Sequence, residues 1–105
     1  MTLQGNYNLE LTIDGREPVT RLIEFSDGVG KYLKIPDNAS QFAAETKSIE
    51  DRGTSILQLV QQDANYLAVY SGLRDQESST SIRFHGGFLD LDGKKGEFSL
   101  TQVTY

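Results

Sequence analysis

The chain has 105 residues, enough for one modest core, and its 37% hydrophobic and 24% charged side chains suit a globular domain rather than a disordered segment. Fifteen acidic against ten basic residues give a formal net charge of −5, which weighs against nucleic acid and anionic membrane as partners. The chain has no cysteine, so disulfides, thiolate chemistry and cysteine-bound zinc are excluded. With neither a signal-like start nor an apolar run of bilayer length, the expected location is cytoplasmic.

Ten glycines and only two prolines fall between short apolar runs, the punctuation of an all-β chain. Strands are expected near 5–13, 17–25, 30–35, 54–62, 66–72, 80–85, 87–91 and 97–104. In the first, "GNYNLELTIDG", Tyr7, Leu9, Leu11 and Ile13 alternate with polar residues and lead into Asp14-Gly15, a hairpin signal. A two-residue turn there would put Val19, Ile23 and Phe25 on the face opposite Leu9 and Leu11. A three-residue loop, Ile13-Asp14-Gly15, sets Leu9 against Val19 and Tyr7 against Arg21, and burial favours it because both apolar sets then share one side. The following "SDGVGK" (26–31) reads as a five-residue turn. It lacks the spacing of a phosphate-binding loop, and no helix follows to receive an anion.

In "PDNASQFAAETKSIEDRG" (36–53), the cap candidate Asn38, the alanines at 39, 43 and 44, and the closing Gly53 make a short helix near 39–47 as plausible as a strand. Asn38-Ala39-Ser40 fits the glycosylation acceptor pattern, which lacks a meaning without a secretory route. "NYLAVYSGL" has Tyr66, Val69, Tyr70 and Leu73 at helical spacing, yet its aromatic and β-branched content favours a strand. "RDQESSTS" (74–81) reads as a polar loop. Ile82 and Phe84 have the opposite parity from Leu89 and Leu91, so a bulge at Gly86-Gly87 is expected between them. A turn at Asp92-Gly93 then puts Leu89 and Leu91 on one face with Phe98 and Leu100, leaving Asp90 outside.

These segments predict an all-β fold over residues 1–105, one domain, either a small antiparallel up-and-down β-barrel of about eight strands or a sandwich. The helix near 39–47 stays open, and with it an order of elements like the OB-fold, whose usual nucleic-acid partner the negative charge disfavours. No catalytic motif is present. His85 is the only histidine, has no G-x-S-x-G partner, and is too few for a metal site, so a surface or rim position is expected. "DLDGKKGE" fails as a calcium loop, since Lys94 stands where an oxygen ligand is needed and Glu97 falls at the wrong distance. Neither a metal nor a cofactor is expected.

Arg21 interrupts the apolar face Val19, Ile23, Phe25, where a buried guanidinium would need partners. It is either a pocket arginine for an anionic ligand group or an arginine stacked on Tyr7 with its head in water. The tyrosines at 7, 32, 66, 70 and 105 either line a cavity or sit at a rim.

Gly5-Asn6-Tyr7 opening the first strand resembles the G-x-W of the calycins, the superfamily of up-and-down barrels that includes lipocalins and avidins. Successive hairpins and the closing "GEFSLTQV" extend the resemblance along the whole chain in pattern, though in few residues of identity. The resemblance implies a barrel open at one end that binds a small apolar or amphipathic molecule in its mouth. The chain departs from the family in having no tryptophan and no arginine in its last strand to pack over the opening aromatic. Arg21 is the neighbouring-strand candidate for that contact. The resulting expectation is a non-enzymatic small-ligand carrier or sensor with Tyr7, Arg21, Tyr66 and Tyr70 at its mouth. The alternative is a protein-interaction module, an inhibitor or assembly subunit with a filled interior, forming a homo-oligomer through a sheet edge.

Overall fold

A computed structural model describes residues 3–33, 40–49, 54–75 and 82–103. They form eight strands: β1 (Gly5–Ile13), β2 (Val19–Ser26), β3 (Val29–Tyr32), β4 (Gln41–Ile49), β5 (Thr54–Asp63), β6 (Tyr66–Arg74), β7 (Arg83–Asp90) and β8 (Lys95–Gln102). Each strand pairs antiparallel with the next, and β1 pairs with β8 to close an up-and-down barrel. The sandwich alternative is thereby removed. The first and last strands pair with each other, so neither is a free sheet edge.

The helix considered near 39–47 is strand β4, and no helix occurs among the described residues. Alanines favour a helix, but Phe42 is the only large apolar residue between Gln41 and Lys47, so no helical stripe exists to pack. As a strand the segment buries Phe42 and pairs with β5 along its length, from Gln41↔Gln62 to Ile49↔Thr54. The OB-like order falls with the helix. Asn38, and residues 76–81 of the polar loop, lie outside the described residues.

Turn chemistry sets the registers, and it differs from expectation at three turns. Asp14 and Gly15 both take positive φ (49° and 74°), and the Arg16 N–H donates to Ile13 O at 2.8 Å, a type I′ turn. An extra residue then enters at Glu17-Pro18, where proline has no N–H to offer the ladder, so that Leu11 pairs with Val19, Leu9 with Arg21 and Tyr7 with Ile23. The two apolar sets share a face as expected, but Arg21 stands opposite Leu9 and not Tyr7. The connection read as five residues contracts to Asp27-Gly28, again with positive φ at both (51° and 82°), and Ser26 pairs with Val29.

The third difference changes which side chains are inside. Gly93, at φ 81°, donates to Asp90 O at 3.2 Å, and the Asp90 N–H donates to Lys94 O, a three-residue loop of the type I plus bulge kind. An odd loop reverses the facing expected from an even one. Phe88 pairs with Gly96 and Gly86 with Phe98, so β7 alternates regularly through Gly86-Gly87 without a bulge. The segments expected as two strands, 80–85 and 87–91, are therefore one. Phe84, Phe88 and Asp90 point inward, while Leu89 and Leu91 are exposed. Gly86 and Gly72 allow this because neighbouring backbone, and at Gly72 also the Phe98 ring, fills the space a side chain would take. A Cβ at Gly72 would come within 2.9 Å of that ring, and one at Gly86 would run into the Ser71 carbonyl.

The interior is built from side chains of seven strands, Leu9, Ile23, Phe42, Leu59, Tyr70, Phe88, Phe98 and Leu100 among them, with Tyr32 of β3 packed against them. Tyr70 lies at its centre, stacked on Phe88 with centroids 5.5 Å apart and edge-on to Phe98 at 5.4 Å. Burying each such ring contributes about 1.5–3 kcal/mol. One end of the barrel, here the lower end, carries the β2–β3 turn and the chain's start. Leu3 is buried there, its carbonyl accepts the Gly28 N–H at 3.0 Å, and the Gln4 side chain accepts the Asp27 N–H at 2.9 Å. The upper end carries the β1–β2, β5–β6 and β7–β8 turns.

Candidate functional site

Alternation along β5 brings Leu57, Leu59 and Gln61 inward in turn, so the apolar series ends in a buried amide near the upper end. Gln61 is fully used. Its Oε1 accepts the Tyr70 hydroxyl at 2.7 Å, and its Nε2 donates to Tyr32 OH at 3.0 Å and to Ser40 Oγ at 3.3 Å. The Ser40 hydroxyl in turn donates to Asp63 Oδ2 at 3.1 Å. One chain of hydrogen bonds thus links β6, β5, β3 and the entry to β4.

A second cluster adjoins it. Asp90 follows Phe88 inward, shares a row with Ala68 and Gln61, and accepts the Tyr66 hydroxyl on Oδ2 at 2.7 Å. Its Oδ1 accepts the N–H groups of Asp92 at 3.0 Å and Lys94 at 2.8 Å, tying down the β7–β8 turn. Burial opposes ionisation of Asp90, but the bonds from Tyr66, Lys94 and Asp92 outweigh it and hold the carboxyl below its usual range. The same contact, added to burial, pushes the Tyr66 phenol well up. Burial also raises Tyr70, helped by the nearby Tyr32, Tyr66 and Asp90. Tyr32 is raised by burial, though the Gln61 bond and the positive charge of Arg21 offset part of it. These tyrosines are neutral hydroxyls over the physiological range.

Three buried polar side chains, Ser40, Gln61 and Asp90, therefore gather with Tyr32, Tyr66 and Tyr70 at the upper end. Every buried polar side-chain atom among the described residues has a hydrogen-bond partner. The floor beneath is aromatic: Phe42 lies 5.2 Å from Tyr32 and 6.5 Å from Tyr70, centroid to centroid. Arg21 has the inward parity of Ile23 and Phe25 but is exposed, its Nη1 donating to Thr20 O at 3.0 Å, close enough to Tyr32 to act on its phenol.

Of the four residues expected at a mouth, the barrel brings Arg21, Tyr66 and Tyr70 to the upper end. Tyr7 is not with them. It lies toward the lower end, edge-on to Phe25 at 5.4 Å and within the field of Arg74, so Arg21 does not stack on it. Sequence reasoning missed Gln61, Ser40, Asp63 and Asp90 and left Tyr32 unchosen. The signal for Gln61 was available in Leu57-x-Leu59-x-Gln61, a polar residue on an inward face like Arg21. Asp90 was hidden by the reversed facing of β7. His85 is exposed on the outside of β7, and no cluster of three metal-ligating side chains occurs among the described residues.

Compared with models of protein families, with curated proteins and with solved structures, the chain matches none of them.

Proposed function

We propose that this chain is a non-enzymatic, cytoplasmic binding protein, a calycin-like carrier or sensor that takes a small amphipathic molecule at the upper end of its barrel. The observation that carries the reading is the polarity of the two ends. Buried polar side chains collect at one, above aromatic rings, while Leu3 plugs the other. Aromatic packing around Tyr70 makes the site shallow, a mouth rather than a deep cavity. In this reading the polar head of the guest lies against Tyr32, Tyr66 and the Arg21 guanidinium, which offers charge-assisted bonds to an anionic group. Its apolar part rests on the rings below. Tyr70 and Gln61 form the floor and position Tyr32.

Native mass spectrometry of protein purified gently from its own cells tests this. A reproducible extra mass that vanishes on denaturation supports the reading, and a bare chain in repeated preparations counts against it. With the guest in hand, Arg21→Ala and Tyr66→Phe should each weaken binding about tenfold, whereas Tyr7→Phe should not. Unchanged affinity in both upper-end variants would place the site elsewhere.

A further inference from the structure

The hydrogen bonds at the upper end run in one direction, and a carboxylate sets it. Asp63 can only accept, so the single Ser40 hydroxyl proton goes to its Oδ2 at 3.1 Å. Ser40 Oγ then has only lone pairs to offer Gln61, 3.3 Å away, and the amide must present Nε2 to it. The same nitrogen faces Tyr32 OH at 3.0 Å, so the Tyr32 oxygen accepts and its own proton is left over. The other side of the amide, Oε1, takes the Tyr70 proton at 2.7 Å. Turned over, Gln61 would set its carbonyl oxygen against Ser40 Oγ with no proton between them. Among the described residues the Tyr32 proton meets no acceptor. Beside it stands Arg21, one inward position above the Ile23–Tyr32 pair, whose guanidinium has N–H groups beyond the one given to Thr20 O. The β2–β3 side of the mouth therefore offers donors.

On the β6–β7 side the order is reversed. Tyr66 gives its proton to Asp90 Oδ2 at 2.7 Å, and the carboxylate, whose Oδ1 accepts the Asp92 and Lys94 N–H groups, returns none. The half-buried Tyr66 oxygen is left with lone pairs, near enough to Tyr32 for the two phenols to act on each other electrostatically. We propose that the guest of this mouth is an amphipathic hydroxy acid, with its carboxylate on Tyr32 and Arg21 and its hydroxyl on the Tyr66 oxygen. This rests on the binding function proposed above and adds which groups the guest must carry. An alcohol would leave the guanidinium and the Tyr32 proton without a charged acceptor, and an amine would bring a cation up to Arg21. A plain acid answers the β2–β3 side but leaves the Tyr66 lone pairs facing its tail. The second group is a hydroxyl and not an ammonium, because the acceptor offered is a neutral phenol oxygen and both Asp90 oxygens are already engaged. Tyr32 and Tyr66 are thus the residues that set specificity, one for the acid and one for the hydroxyl.

Isothermal titration calorimetry of the full chain with decanoate, its alpha- and beta-hydroxy derivatives and decanol tests this. At least one hydroxy acid should bind about tenfold tighter than decanoate, and decanol should bind about tenfold more weakly than decanoate. Tyr66→Phe should abolish the advantage of the hydroxyl and leave the affinity for decanoate unchanged. Tyr32→Phe should weaken every acid about tenfold and preserve the ratio between them. Each ratio is read between ligands on one sample, so a loss of folded protein does not imitate it. Hydroxy acids that bind no tighter than decanoate, or a hydroxyl advantage that survives Tyr66→Phe, overturn the proposal and leave a carrier of amphipathic molecules in place. Absence of binding by all of these probes overturns it too, and the native mass spectrum then shows separately whether the chain carries any guest.

Discussion

Replacing Tyr70 by phenylalanine removes one oxygen from the centre of the barrel and little else. The ring keeps its contacts with Phe42, Phe88 and Phe98. What it loses is the 2.7 Å bond to Gln61 Oε1, which then has no other donor among the bonds described. Gln61 is only 6% exposed, so the orphaned carbonyl must go without a partner unless water can reach it. Leaving a buried acceptor unsatisfied costs about 1–3 kcal/mol, whereas a water-filled site would reduce the loss to about 0.5 kcal/mol or less. For a domain of this size, 1–3 kcal/mol lowers the melting temperature by roughly 5–15 °C. Urea unfolding of wild type, Tyr70→Phe, Gln61→Leu and the double variant measures both the loss and the coupling, expected near 1 kcal/mol. A loss under about 0.5 kcal/mol with additive single changes would refute the argument. The upper end would then be a wet pocket reaching down to Tyr70, and the guest would sit deeper than the mouth proposed for it.

Four further outcomes follow from the same contacts. Gly86→Ala drives a Cβ into the Ser71 carbonyl and should cost at least about 2 kcal/mol in chemical denaturation, while Gly87→Ala, one residue on, should be neutral or stabilising by a few tenths. Asp90 has a lowered pKa when folded, so its contribution is present above the unfolded value near 3.9 and is lost as pH falls through the folded one; the acid limb of a stability–pH curve should flatten in Asp90→Asn. Tyr7, Tyr32, Tyr66 and Tyr70 have raised pKa values, so their contribution is complete below about pH 10 and declines as pH rises further. Absorbance at the phenolate band should show these four ionising only together with unfolding. Arg21→Ala, at an exposed position, should change stability by less than about 0.5 kcal/mol in the same urea assay.

The all-β barrel was legible because hydrophobic alternation is a local signal, and six of the eight strands carry it strongly enough to be placed within a few residues. What the letters hid was the parity of turns. The Asp-Gly pairs at 14–15, 27–28 and 92–93 look alike in sequence, yet the first two hold both residues at positive φ and the third has only Gly93 there. The turn itself spans two residues at 14–15 and at 27–28 and three at 91–93, and the extra residue of the first hairpin enters after its turn, at Glu17-Pro18. The plus-bulge form expected at the first hairpin occurs at the last. That single exchange is what sent Asp90 inward and Leu89 and Leu91 outward, since one residue of slip turns every side chain of a strand over. It concealed half of the upper-end polar cluster and the exposed leucines of the outer wall together, because both are read from β7. Strand β4 was ambiguous for a different reason: with Phe42 its only large apolar residue before Ile49, neither period is written strongly, and closure of the ring decides. Gln61 needed no such context. On a strand whose inward positions begin Leu57 and Leu59, a polar residue next in the series asks for partners, and the barrel supplies Tyr70, Tyr32 and Ser40.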